Sequence, residues 1–216
     1  MGSVNLELLA QASWQLRSSY SITVTVPSGV GPCSVLVAVY TDYGDEFTYS
    51  GETGCTIDGV TVPQLCDVNA IYCRTRMFLA NFVNPGSRAV VVSPLRSAHN
   101  TGCFIVGIYN TAGLALSNFL TYLDPPNSYT ASPTIVAGHL WLEMPGEKST
   151  SSVPTAGSGQ TSLVSKDSRR VQYKKDTGTG IQSFITNFAN DENNNFIGME
   201  FLPPGRTFEI PPLAIG

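Results

Sequence analysis

Only two residues in this chain, His99 and His139, carry an imidazole, so any hydrolytic or metal chemistry must be built around one of them. A nucleophilic mechanism needs Ser or Cys beside a base that a third group orients. His99 sits in Ser97-Ala98-His99-Asn100 and reads as a solvated loop histidine, and His139 alternates with Trp141 in a strand-like run. Neither Gly-x-Ser-x-Gly nor Cys-Gly-Ser-Cys-Trp occurs. His99 and Cys103 have the spacing of half a zinc site and lack a second ligand pair. Asp42, Asp45 and Glu46, and Asp191 with Glu192 among the asparagines of 190–195, offer carboxylates without EF-hand spacing; they read as turns closed by Asx side chains. The expectation is a non-enzymatic chain with no catalytic residue, metal or cofactor.

One cluster of charge stands out. Lys166, Arg169, Arg170, Lys174 and Lys175 place five of twelve basic residues within ten positions, diluted by Asp167 and Asp176. Such a stretch either meets a partner or guards an edge strand against sheet-to-sheet pairing. The net charge of −4 speaks against a protein that coats nucleic acid. Only 13% of residues are charged, against about 25% in an average soluble domain. A surface that bland suits burial against other subunits. The five cysteines form no CxxC pair and read as free thiols, which favours a reducing compartment. No signal peptide, membrane-length apolar run, sequon or complete myristoylation motif is expected from the sequence.

The elements that must position these residues are strands. Ser21-Ile22-Thr23-Val24-Thr25-Val26 alternates with period two, and Val35–Tyr40, Met77–Val83, Ala89–Val92 and Phe104–Tyr109 repeat the theme between Gly, Pro, Asn and Asp clusters. Asp58-Gly59 between β-branched residues predicts a type I′ hairpin. Asn84-Pro85-Gly86-Ser87 predicts a second hairpin, between 77–83 and 88–93. A further short strand is expected at 46–50. Residues 101–110 read as a central strand buried on both faces. In 134–144, Leu140, Leu142 and Met144 point to the core and His139, Trp141 and Glu143 lie opposite. Residues 1–19 read as an arm or edge strand, and 20–202 as a single two-layer β-sandwich without internal repeat. Residues 145–161 form a long polar loop within it, and 203–216 an extended proline-spaced tail. Val35, Val37, Phe78, Leu79, Ile105, Ile108 and Trp141 are expected in the core.

The order of the segments Thr25-Val26-Pro27-Ser28-Gly29-Val30-Gly31, Val35–Val39, Ile57-Asp58-Gly59-Val60, Phe78–Gly86 leading into Val90-Val91-Val92, and Ile105–Tyr109 resembles jelly-roll virion proteins of tailed bacteriophages. These include capsid decoration or cement proteins and related tail components. The resemblance implies a jelly-roll-like antiparallel β-sandwich with extended terminal arms, assembled as a homotrimer in the host cytoplasm and carried on the virion. It implies the major capsid protein or another virion protein as partner, with no membrane and no direct nucleic-acid role. The residues expected at a partner interface are Lys166, Arg169, Arg170, Lys174, Lys175, Pro203, Pro204, Phe208, Pro211 and Pro212. The alternative is a lectin-like host-recognition domain that stacks sugars on Tyr43, Tyr49, Tyr122 or Tyr129. A β-sandwich glycosidase or lyase is a third reading.

Overall fold

The computed structural model describes residues 3–16, 19–31, 33–41, 54–70, 73–93, 100–123, 125–135, 138–147, 153–175, 179–189 and 194–205. All regular structure among them is β. The first half of the chain supplies β1 (Asn5–Leu16), β2 (Tyr20–Val26), β3 (Cys33–Thr41), β4 (Gly54–Ile57) and β5 (Val60–Val62). It continues with β6 (Gln64–Ala70), β7 (Cys73–Ala80), β8 (Gly86–Ser93) and β9 (Asn100–Tyr109). The second half opens with β10 (Gly113–Leu123), β11 (Ser128–Ala131), β12 (Thr134–Ile135), β13 (Leu140–Glu143) and β14 (Thr155–Ala156). It closes with β15 (Thr161–Lys166), β16 (Arg169–Lys175), β17 (Gly180–Ile181), β18 (Phe184–Asn187) and β19 (Asn195–Leu202).

These strands pair antiparallel into four main sheets. Sheet I has the order β1-β9-β3-β7-β6, sheet II β2-β8-β4-β5, sheet III β10-β19-β13-β16-β15 and sheet IV β11-β18-β14, with β12 and β17 as a separate pair. Alternation explains how the sheets stack. In β3, Val35, Val37 and Val39 enter a core shared with Val24, Val90 and Val92 of sheet II. The intervening Leu36, Ala38 and Tyr40 enter a second core with Leu140, Leu142, Met199 and Phe201 of sheet III. Trp141 and Phe196, on the far face of sheet III, meet Phe184 of sheet IV in a third core. The architecture is therefore an antiparallel β-sandwich with four layers, where the sequence predicted two. Runs such as Val35–Tyr40 and Phe104–Tyr109 are continuous in apolar residues because both of their faces are covered.

A repeat that the sequence does not display is present in the connectivity. If β5, β12 and β17 are set aside, each half has eight strands. In chain order, β1-β9-β3-β7-β6 and β10-β19-β13-β16-β15 are the same arrangement, as are β2-β8-β4 and β11-β18-β14. Sheets I and III are equivalent, and they pack against each other through the middle core. The expectation of no internal repeat is corrected at the level of topology: pairing order depends on turns and burial pattern and survives without residue identity.

The local expectations meet the structure with different outcomes. The Asp58-Gly59 hairpin forms with both residues left-handed (φ 51° and 80°) and Ile57 opposite Val60. The segment around Pro85-Gly86 is no hairpin, because β7 pairs with β3 and β6 whereas β8 pairs with β2 and β4. Left-handed Phe82 (φ 57°) and the bond from Val83 N–H to Cys33 C=O turn the chain from one sheet to the other. The 134–144 stretch is split into β12 and β13 across Gly138, which is left-handed (φ 86°), and both faces of β13 are buried. In the 145–161 loop, Pro145 to Glu147 are buried and Thr155–Ala156 is a strand against β18. Residues 1–19 supply edge strand β1, paired with β9 along its length with two bulges. The strand expected at 46–50 lies outside the described residues.

Candidate interaction surface

A groove of about 640 Å³ opens where three strand edges converge. Its walls come from the β4–β5 hairpin, the start of β6, the end of β7 with residues 81–84, and the start of β10. Among the described residues β5, β6 and β10 are each the outermost strand of their sheet, so no described strand pairs with their outer sides. The lining is mainly apolar, and three of its members stand unusually far into solvent: Val60 at 69%, Phe82 at 68% and Leu116 at 51% exposure. Leu116 is lifted out by a bulge. β10 pairs with β19 up to Ala115↔Glu200, then skips to Leu120↔Gly198, leaving Leu116 to Phe119 out of register. Two charges mark the rim: Arg88 Nη1 lies 2.9 Å from Asp58 Oδ2. The Ala89 N–H bonded to Asp58 Oδ1, with the Arg88 guanidinium beside it, holds that carboxyl below the usual range. No motif announces this groove, because its residues span positions 57 to 116; the nearest sequence signal is the bare phenylalanine in Asn81-Phe82-Val83.

The basic cluster does not form one surface. Along β16, Arg169, Val171, Tyr173 and Lys175 alternate with Arg170, Gln172 and Lys174, so the charges divide between two faces. Lys175 Nζ donates to Asn5 Oδ1 on β1 (2.7 Å), while Lys174 Nζ lies 5.7 Å from the Phe184 ring on the opposite face. Arg169 is fully buried, which corrects its placement at a partner interface. Its guanidinium donates to the carbonyls of Glu147 (2.6 Å), Ser168 (3.1 Å) and Thr41 (3.1 Å), and its Cζ lies 5.5 Å from the Tyr40 ring centre. Tyr40 and Thr41 belong to the first half of the chain, Glu147 and Ser168 to the second, so this arginine fastens the halves together. Burial lowers the pKa of half-buried Arg170.

The other candidates fall as follows. Pro203 is buried and Pro204 half-buried; Phe208, Pro211 and Pro212 lie outside the described residues. Tyr122 and Tyr129 are brought together, ring centres 5.0 Å apart, with Tyr129 also 4.7 Å from Phe196. Burial raises the Tyr129 hydroxyl pKa, helped by Tyr122 and Glu143. Tyr43 and Tyr49 lie outside the described residues, as do His99, Asp42, Asp45, Glu46, Asp191 and Glu192. Cys103 is fully buried with its thiol pushed up to about 12 by desolvation.

His139 is buried, its Nδ1 2.5 Å from Glu200 Oε1. Asn118, from the β10 bulge, donates to Glu200 Oε2 (2.5 Å) and to the Thr134 carbonyl (2.5 Å). Glu143, also buried, accepts from Trp141 Nε1 (2.8 Å) on one oxygen and from Gln160 (2.7 Å), Gln172 (2.6 Å) and Thr186 (3.0 Å) on the other. Desolvation pushes its carboxyl pKa up while these donors pull it back. Four donors engage both oxygens, so Glu143 acts as an internal brace between sheets III and IV. Among the described residues no three metal-ligating side chains gather. No family model matches the chain, and neither does any curated protein.

Proposed function

We propose that this chain is a non-enzymatic structural protein of a virion, most specifically a capsid decoration or cement protein. In this reading it assembles with copies of itself, as a homotrimer, and clamps the lattice of a major capsid protein or a related tail component. The observation that carries the reading is the groove: an apolar surface with Val60, Phe82 and Leu116 held out to water at three open strand edges is complete only when covered. The connectivity supports the fold part of this reading. In the first half, β1-β9-β3-β7 faces β2-β8-β4-β5, which is the interleaved order of a jelly roll, with β6 added at one edge. The most polar buried side chains, Arg169, Glu143 and Glu200, are spent on internal hydrogen bonds that stiffen the block.

Sedimentation or light scattering of the purified full chain tests the reading: a stable trimer, and retention on shells of the capsid protein, are expected. A strictly monomeric chain that binds no shell refutes it. A second reading has its own observation in the half-exposed Tyr122 lying against Tyr129. The pair is a platform of the kind sugars stack on, and saturable binding on a glycan array that Tyr122→Ala abolishes would favour a lectin.

A further inference from the structure

We propose that the groove beneath Phe82 is the seat of residues 206–216 of a neighbouring copy, taken up as an extended segment. This deepens the self-assembly reading and rests on it. Phe82 is the first argument. Its φ of 57° places a bulky residue in the left-handed region that side chains avoid, and the strain serves to hold a phenyl ring in solvent over an apolar trough. The outer edges of β5, β6 and β10 along the trough, with which no described strand pairs, are the second, since an extended peptide can complete a ladder there while its alternate side chains fill the floor.

The sequence after Gly205 matches these demands. In Arg206-Thr207-Phe208-Glu209-Ile210, Phe208 and Ile210 recur with the period of a strand; Pro211-Pro212 then ends any ladder, and Leu213 and Ile215 follow. Arg206 and Glu209 provide one charge of each sign for Asp58 and Arg88 on the rim. The self-assembly reading selects a neighbour over the same subunit. Leu202 lies opposite Gly113 and Phe201 opposite Leu114, so β19 ends at the groove's end of β10, where the chain turns at Pro204 and left-handed Gly205 (φ 88°). From there eleven residues, if extended at about 3.3 Å each, span about 36 Å. Each subunit then presents a groove beside its own exit point, which is the arrangement of a head-to-tail ring.

Complementation between full-length variants tests this. Phe82→Gly removes the ring and relieves the backbone, so the folded subunit should melt no lower than the parent while self-association weakens at least about tenfold. The double variant Phe208→Asp with Ile210→Asp should weaken it as much. Mixing the two should restore a two-copy complex by native mass spectrometry, since one intact groove then meets one intact tail. Failure of the mixture to associate, with both variants folded, would mean that each groove holds its own tail and would overturn the proposal. Undiminished association of the tail variant would overturn it in favour of a groove-to-groove dimer, with the assembly reading intact. A parent chain that never self-associates would sink both.

Discussion

Replacing Arg169 by Met removes the guanidinium while keeping most of the apolar stem, and it separates two ideas about the basic cluster. If Arg169 is the internal fastener described above, the substitution strands the carbonyls of Glu147, Ser168 and Thr41 in a dry interior. A hydrogen bond to a charged group is worth roughly 1.5–3 kcal/mol and the losses at one centre are not additive, so a total of about 3–5 kcal/mol is expected. For a chain of this length each kcal/mol moves the melting temperature by about 2–4 °C, giving a fall of about 6–20 °C. Lys166→Ala, at the outer edge of the same hairpin, should stay within about 0.5 kcal/mol of the parent. Calorimetry at neutral pH reads the difference. Because the arginine ties one half to the other, near- and far-ultraviolet transitions that coincide in the parent should separate in the variant. A melting temperature within about 2 °C of the parent would refute the fastener argument.

Four shorter tests address other parts of the fold. Glu143→Gln turns an amide NH₂ toward existing donors whichever way it is flipped, and should cost about 2–4 kcal/mol in urea unfolding. Gly198→Ala should cost about 1–3 kcal/mol and shift Trp141 fluorescence, because the new methyl would lie 2.5 Å from Trp141 Cζ2. Burial pushes the Cys33 thiol up to about 11 and those of Cys55 and Cys103 up to about 12, so mass spectrometry should find none of the three alkylated in the native protein at mildly basic pH. Desolvation raises the Asp67 carboxyl, but bonds from Arg74 and Arg76 outweigh it and leave the net pKa lowered; its stabilisation is present above the ordinary carboxylate pKa of about 4 and lost as pH falls below it. The melting-temperature gap between the parent and Asp67→Asn should therefore close in acid.

Elements whose signal is local were readable from the residues alone. The period-two pattern at 21–26, the unbroken apolar run at 101–110 and the Asp58-Gly59 turn each state their own conformation, and each forms. What depends on which strand meets which was not readable. Pro85-Gly86 gives the same turn signal whether the chain doubles back or crosses to another sheet, and only the pairing of β7 with β3 decides between them. Arg169 looks like its neighbours in sequence, and its burial follows from the strand alternation that aims it at Tyr40 and Thr41, more than a hundred residues away. The groove is illegible for the same reason, since Val60, Phe82 and Leu116 are unremarkable until three edges bring them together.

The low surface charge takes on a narrower meaning once the layers are known. A two-layer sandwich needs polar residues on the outward face of every strand, whereas here the inner strands β3, β9, β13 and β19 of sheets I and III are buried on both faces, so part of the missing charge belongs to strands with little contact with water. Bland composition alone therefore says less about assembly than it first suggests. A more specific sign is that three of the seven large apolar side chains exposed among the described residues, Val60, Phe82 and Leu116, share one groove, while Tyr122, Leu123, Ile181 and Ile185 lie outside it, and that Phe82 sits there in a conformation that costs about 1–2 kcal/mol. A glycine would remove that cost, and the proposed seating of a neighbour's tail gives the ring a contact to make. Interface formation should accordingly respond to Phe82 far more than to the number of charges on the outer strands.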